Sequence, residues 1–281
     1  MHDDARRGEA ELADDHLVAE GFVPQRSGDA RRVPPLGLRI AAVTLPLAGR
    51  TALVTGASRG IGAAVARALA SAGARVALVS RSQAALDALA ATLPHTPVVI
   101  ADDLMQPVAA KTIAAAALEA FGAAPDIVVL AAGTFPLGPV DATTDAELET
   151  AFTLNAMAPL RLLREFLPVM RTRGAGHIVF LGSLADRHVF PSNAVYASTK
   201  HALRATAEAL RAESRGSGVR CTLVSPAATD TPIWDAHDPD AQAHLPNRDE
   251  MLRPSDVADA VLWCVTRPAS VDIDELRLSR S

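Results

Sequence analysis

The sequence predicts an α/β protein: one doubly wound domain whose seven parallel strands are covered by helices on both faces. Three observations predict it. From Arg50 onward, short runs of Val, Leu and Ile alternate with longer stretches rich in Ala, Leu, Glu and Arg, the signature of a parallel sheet between helical layers. The first apolar run leads into a glycine-rich turn and then an alanine-rich helix, as a nucleotide-binding strand–helix unit does. The 281 residues show no internal repeat and no second core, and one large α/β domain accounts for that length.

Taken in order, residues 1–48 are expected to be a flexible extension and 49–281 the folded domain. The extension mixes Asp3, Asp4, Arg6, Arg7, Glu9 and Glu11 with Pro34 and Pro35, without a sustained period. Such a segment buries too little apolar surface to offset its ordering entropy. Leu12, Leu17 and Val18 would support one short helix there. Val43 opens the run Val-Thr-Leu-Pro-Leu-Ala-Gly-Arg, which reads as a domain start. Because a valine codon can initiate translation, the native protein is expected to begin near Val43; an intact mass that includes residues 1–42 would refute this. Strands are expected at 51–55, 75–80, 97–101, 126–131, 177–182, 219–224 and 272–278, with helices near 60–73, 83–92, 107–121, 144–173, 194–215 and 254–266. The long helix at 144–173 contains Pro159 and Pro168 and is expected to bend or divide there.

Composition narrows the partners. Net charge is −5, and no basic run exists to track a phosphate backbone, so no nucleic-acid partner is expected. Mean hydropathy is only +0.17. Arg67, Arg75 and Arg81 interrupt the longest apolar stretches, whereas a spanning helix needs roughly 20 apolar residues, so no membrane span is expected. Cys221 and Cys264 are the only cysteines, fall in apolar segments and lack metal-type spacing; they read as small core residues of a reduced, cytoplasmic protein. The N-terminus lacks the basic start and apolar stretch of a secretory signal. None of the eight histidines pairs with Cys, His or an acid as a metal ligand would, so no metal is expected.

Chemistry enters at Thr55-Gly56-Ala57-Ser58-Arg59-Gly60-Ile61-Gly62. Gly56 permits a tight turn, and Gly60 and Gly62 allow the backbone to approach a pyrophosphate and the helix to pack on the strand. Free amides and the positive end of the helix dipole then face the anion. The spacing is Gly-x-x-x-Gly-x-Gly, not the general Gly-x-Gly-x-x-Gly. At the end of the second strand an NAD-preferring site places an acid against the ribose 2′-hydroxyl, but here the chain reads Val79-Ser80-Arg81-Ser82. Arg81, helped by Arg59, is suited to a 2′-phosphate, so NADP is expected in preference to NAD. Further on, Tyr196 and Lys200 stand four residues apart and share a helix face. A phenol near its ordinary pKa of about 10 is a poor base at neutral pH, and a neighbouring ammonium favours its ionised form. Ser183 precedes Tyr196 by 13 residues, at the end of the strand-like run His-Ile-Val-Phe-Leu-Gly-Ser, where open α/β sheets bind ligands.

These motifs, in this order, make the sequence resemble the short-chain dehydrogenase/reductase family in its ordinary single-domain form, from roughly Leu47 to Leu278. The resemblance implies a Rossmann-like fold and an oxidoreductase that interconverts a carbonyl and a secondary alcohol with NADP(H). Asn155, Ser183, Tyr196 and Lys200 match the family's catalytic tetrad. Asp103 matches the acid at the adenine end, Gly133 a close approach to the cofactor, and Thr231 the threonine of the segment meeting the nicotinamide. By that resemblance Ser183 bonds the substrate oxygen, Tyr196 is the acid/base, Lys200 lowers its pKa and holds the ribose, and Asn155 kinks its helix and supports a proton-relaying water. A homotetramer or homodimer built from the helices near 144–173 and 194–215 is also implied. Two departures stand out: Leu130-Ala131-Ala132-Gly133 replaces Asn-Asn-Ala-Gly, and Pro226-Ala227 replaces Pro-Gly.

The segment 232–250, with Trp234, His237, Pro239, His244 and Pro246, is expected to be a lid excluding water from the substrate. His188 and Phe190 are candidates to line the same pocket, and Arg187 to attract an acidic substrate. The closing Ile-Asp-Glu-Leu-Arg-Leu resembles the tail of short reductases acting on small hydroxy acids and similar carbonyl compounds. A nucleotide-binding regulator without turnover is the alternative, but it needs no phenol and ammonium in register. A longer epimerase or dehydratase needs a C-terminal substrate domain, for which the roughly 50 residues after Thr231 are too few.

Overall fold

The apolar runs become strands, and all but the two at the sheet edges are sealed between helical layers. The structure, a computed structural model, describes residues 45–281. Its strands are β1 (Thr51–Thr55), β2 (Arg75–Ser80), β3 (Val98–Ala101), β4 (Ile127–Leu130), β5 (Gly176–Leu181), β6 (Val219–Pro226) and β7 (Glu275–Leu278). They pair in parallel in the order β3-β2-β1-β4-β5-β6-β7. The helices are α1 (Gly60–Ser71), α2 (Gln83–Ala90), α3 (Ala109–Phe121), α4 (Asp145–Phe152), α5 (Ala158–Arg173), α6 (Ala194–Glu213) and α7 (Pro254–Val265). On one face Ile113 of α3, Phe166 of α5 and Leu203 of α6 pack on Leu53, Val128 and Phe180. On the other, Leu69 of α1, Leu86 of α2 and Val261 of α7 pack on Val54, Val129 and Val179. Burying each such side chain stabilises the fold by roughly 1.5–3 kcal/mol, which is why the strands read as continuous apolar runs and not as alternating ones.

The strand order reverses direction between β1 and β4, and ligands of open α/β sheets bind at that switch, beyond the carboxyl ends of the strands. Among the described residues no helix is long and apolar enough to cross a membrane, and no cluster of His, Cys, Asp or Glu could hold a metal ion. Cys221 and Cys264 are buried free thiols.

Three expectations need adjustment. Of the expected extension, residues 1–44 lie outside the described residues, as do the short helix around Leu12–Val18 and the start at Val43. Its last residues belong to the domain: Leu47 is buried and its amide donates to the Ala72 carbonyl at 2.8 Å, because an apolar side chain is needed to close the end of α1 against β2. The long helix divides ahead of Pro159, through a π-helical turn at Thr153–Met157. Pro159 then sits directly after that turn, as the second residue of α5. Pro168 stays inside α5; it and Arg164 lie on the exposed face, where water can serve the carbonyl that Pro168 leaves free. The last strand begins at Glu275, not 272.

Candidate active site

The turn between β1 and α1 is built around glycines for steric reasons that the distances make explicit. Gly56 has φ +68°, and a Cβ there would lie 2.8 Å from the Ala132 Cα. A Cβ on Gly62 would lie 2.3 Å from the Gly56 carbonyl oxygen, so α1 can start this close to β1 only without a side chain. No acid stands in the first turn of α1, which leaves its positive end available to an anion. Gly56, Ser58, Arg59, Gly60, Ile61 and Gly62 line a cleft of about 1010 Å³ that runs along the carboxyl ends of the strands. Arg81 and Asp103, after β2 and β3, line the same half of it, and Arg59 and Arg81 are exposed there. The Asp103 carboxylate accepts from the Met105 amide at 3.1 Å.

The two departures from the family's pattern are structurally accommodated. The Thr55 hydroxyl, buried at the end of β1, accepts from the amides of Ala131 and Ala132 at 3.0 and 3.1 Å. It thereby ties β1 to the end of β4 where a side-chain amide is missing. Ala227 does not adopt a left-handed conformation, so this turn has no need of glycine, and its amide donates to the Leu278 carbonyl at 2.8 Å.

Ser183 follows β5 and caps a short turn at Leu184–Asp186, its hydroxyl accepting from the Ala185 amide at 3.1 Å. Tyr196 and Lys200 lie one turn apart on α6, and both line the cleft with Ser183. The Lys200 ammonium donates to the Leu181 carbonyl at 2.8 Å and lies 5.5 Å from the centre of the Tyr196 ring. Burial pushes the Tyr196 phenol up to about 12, against a hydrogen bond with Ser183 that favours ionisation; the Asp186 charge adds to the rise. Burial pulls the Lys200 ammonium down to about 8, with Asp186 opposing. Burial is thus the largest influence on the phenol, and it acts opposite to the lowering expected from Lys200.

Asn155 sits in the π-helical turn, where the extra residue swings its side chain inward. Its carbonyl oxygen accepts from the Thr134 amide at 2.8 Å, and its amide donates to the Thr134 carbonyl at 2.9 Å and the Thr199 hydroxyl at 3.0 Å. Thr199 in turn donates to the Tyr196 carbonyl at 2.7 Å. Asn155 thus links the end of β4 to the helix that carries the phenol. Gly133 lies against it, with a Cβ there 3.1 Å from the Asn155 carbonyl oxygen.

The segment after β6 closes over the cleft. Thr231 is nearly buried, and its Cβ would stand 3.2 Å from a Cβ on Gly60, so the root of the segment rests on the glycine turn. Trp234 points inward, its indole donating to the Thr229 carbonyl at 3.1 Å. Phe135 lies between Trp234 and the phenol, with ring centres 4.9 Å from Trp234 and 4.7 Å from Tyr196, both edge-on. His237 bonds the Phe135 carbonyl at 2.8 Å. Arg248 fastens the segment, pairing with Asp230 and Asp235 at 2.7 Å each and with Asp240 at 3.9 Å.

Every residue singled out in the sequence for cofactor or catalysis therefore reaches this one cleft except Asn155, which sits just behind it. Phe190 and His244 line the cleft and His188 does not. Arg187 points away and is paired with Glu275. Sequence reasoning missed Asp186, a fully buried carboxylate that accepts from the Ser225 hydroxyl and, at 3.4 Å, from the Ser183 amide. It also missed the Phe135 bridge. An acid three residues after a capping serine was a usable signal for Asp186; nothing local pointed to Phe135.

Comparison with known proteins agrees with this architecture. A family model described as short chain dehydrogenase matches residues 50–242. An uncharacterized oxidoreductase of Staphylococcus epidermidis is 31% identical over 72% of this chain and 84% of its own length. A glycine betaine reductase of Emericella nidulans is 37% identical over 54% of this chain, which spans only 12% of that much longer protein. The solved structure of an alcohol dehydrogenase from Thermococcus sibiricus, complexed with 5-hydroxy-NADP, superimposes with a TM-score of 0.74 at 28% identity and covers 82% of this chain and 96% of its own.

Proposed function

The chain belongs to the short chain dehydrogenase family of oxidoreductases, and from that premise we propose that it interconverts a carbonyl compound and a secondary alcohol with NADP(H), using Tyr196 as acid/base. The observation that carries the proposal is that Ser183, Tyr196 and Lys200 face the same cleft as the glycine turn.

The residues present fit the dinucleotide. The glycine turn and the acid-free start of α1 offer backbone amides to a pyrophosphate. Arg59 and Arg81 suit the 2′-phosphate of NADP(H), since no carboxylate follows β2 to claim a free hydroxyl. Asp103 suits the adenine end, and Gly133 and Thr231 the approach to the nicotinamide. When bound, the nicotinamide supplies or accepts the hydride. Ser183 donates a hydrogen bond to the substrate oxygen, and Tyr196 gives it a proton as the carbon is reduced. A phenol held near 12 keeps that proton until the developing alkoxide takes it. Lys200, charged below about 8, binds the ribose hydroxyls and returns a proton to the phenolate, while Asn155 holds α6 to β4 and supports the relay. The 5-hydroxy-NADP complex of the Thermococcus alcohol dehydrogenase supports the same cofactor type and reaction class here. Leu148, Phe152, Met157 and Leu160 lie exposed on α4, the π-helical turn and α5, and support pairing of copies in a homodimer or homotetramer. A cytoplasmic location accords with two unpaired, buried thiols.

The test follows nicotinamide absorbance with NADPH and NADH over a panel of ketones. NADPH is expected to be preferred. Tyr196→Phe is expected to bind NADPH as the parent does and to lose about 10²–10⁴ in turnover. Retained turnover in that variant would remove Tyr196 from the chemistry. NADPH binding without turnover of any carbonyl would leave a nucleotide-binding regulator.

A further inference from the structure

The charge in the cleft is distributed unevenly along the sheet. Among the described residues, its charged lining consists of Arg59, Arg81, Asp102 and Asp103, after β1, β2 and β3, and of Lys200. Beyond β4, β5 and β6 the wall is mostly Phe135, Leu137, Leu184, Phe190, Ile233 and Trp234, with Leu245 and Pro246 of the closing segment above and the uncharged polar Thr134, Asn193 and Thr229 among them. The cations in the neighbouring loops are already engaged: Arg187 by Glu275, and Arg248 by Asp230, Asp235 and Asp240. His237 is engaged by the Phe135 carbonyl. That leaves His244 as the one titratable group on this wall among the described residues, apart from Tyr196. The mouth is apolar as well, since Phe190 is 53% exposed and Val189 beside it 65% exposed; exposed apolar groups gathered at a groove mark what the groove binds.

Resting on the reading of the site as a carbonyl reductase, we propose that its substrate is an uncharged ketone bearing a bulky apolar group, aromatic or alkyl, on the carbonyl carbon. The carbonyl oxygen lies between Ser183 and Tyr196, and the apolar group lies against Phe135 and Trp234, beneath Leu245. Phe135 meets the Tyr196 ring edge-on at 4.7 Å, so an apolar surface continues directly from the reacting position. Against this wall a carboxylate would lose its hydration with no guanidinium to replace it, and the buried Lys200 ammonium already donates to the Leu181 carbonyl. The hydroxy-acid cue in the C-terminal Ile-Asp-Glu-Leu-Arg-Leu has no bearing on this wall, because that stretch forms edge strand β7 and its Glu275 is paired with Arg187.

The experiment measures kcat/KM with saturating NADPH for methyl ketones of increasing chain length, for phenyl ketones, and for keto acids of matched carbon number. The expected result is a rise of roughly fourfold per added methylene until the wall is filled, with each keto acid at least about tenfold below its uncharged match. In Phe190→Ala, a change at an exposed position, the rise is expected to flatten. A flat series, or a preference for keto acids or polyhydroxylated carbonyls, overturns the substrate class while leaving the reductase standing. No turnover of any carbonyl by an enzyme that binds NADPH overturns the reductase reading, and the substrate class falls with it.

Discussion

The strand that delivers Ser183 also contains a histidine whose titration should govern acid stability. His177 on β5 is 1% exposed, with Nε2 2.8 Å from the Thr222 hydroxyl and Nδ1 sealed without a partner. Burial first, and then the charges of Arg220 and Arg50, hold its pKa down from 6.5 to about 3. The folded protein therefore refuses a proton that the unfolded chain accepts. Above about pH 6.5 both states leave the ring neutral and stability is unaffected; as pH falls from about 6.5 towards 3, stability is lost. At ~1.4 kcal/mol per pH unit the full loss is on the order of 5 kcal/mol, of which about 2 kcal/mol is already lost at about pH 5. Other groups titrate over the same range, so the measurement is a difference. Urea unfolding of the parent and of His177→Gln is compared at about pH 7.5 and 5, at one protein concentration because association shifts apparent stability. Gln keeps a polar group for Thr222 but does not titrate. The parent is expected to lose about 2 kcal/mol more than the variant between the two conditions. Parallel losses would refute the account, and would mean that the ring is already protonated in the fold or is solvated in it.

Two further outcomes follow from the two ends of the cleft. Arg81→Asp, which puts an acid where an NAD-preferring site has one, is expected to lower kcat/KM for NADPH by roughly tenfold or more and to leave NADH usable; an unchanged ratio between the two cofactors would move the 2′-phosphate contact elsewhere. Arg248→Ala releases three carboxylates at once, so amide exchange across 232–247 is expected to accelerate and KM for the carbonyl substrate to rise a few-fold, with thermal stability little changed. Exchange as slow as in the parent would mean that Trp234 packing alone holds the segment.

The sequence by itself determined the sheet, its strands to within a few residues, and the glycine turn. These depend on local properties: uninterrupted Val, Leu and Ile runs can be stable only where both faces are buried, and glycine at 56 and 62 is demanded by contacts within the turn and its immediate neighbours. It also placed Tyr196 and Lys200 on one face, because helical spacing alone does that. Residue spacing pointed to the prolines at 159 and 168, and only the family resemblance put a kink at Asn155; the π-helical turn at Thr153–Met157 serves that residue, whose partners Thr134 and Thr199 are far away in the chain.

Only the tertiary structure decided the character of the site. Burial fell on Tyr196 as well as Lys200, raising the phenol and lowering the ammonium. Arg187 and Arg248 were claimed by carboxylates and withdrawn from the cleft, and Phe135 was set between Trp234 and Tyr196 from a loop some 60 residues before the phenol. Residue type and spacing prescribe what a backbone can form locally, but hydration, charge pairing and wall chemistry depend on which distant side chains arrive beside one another, and that is settled only when the layers close.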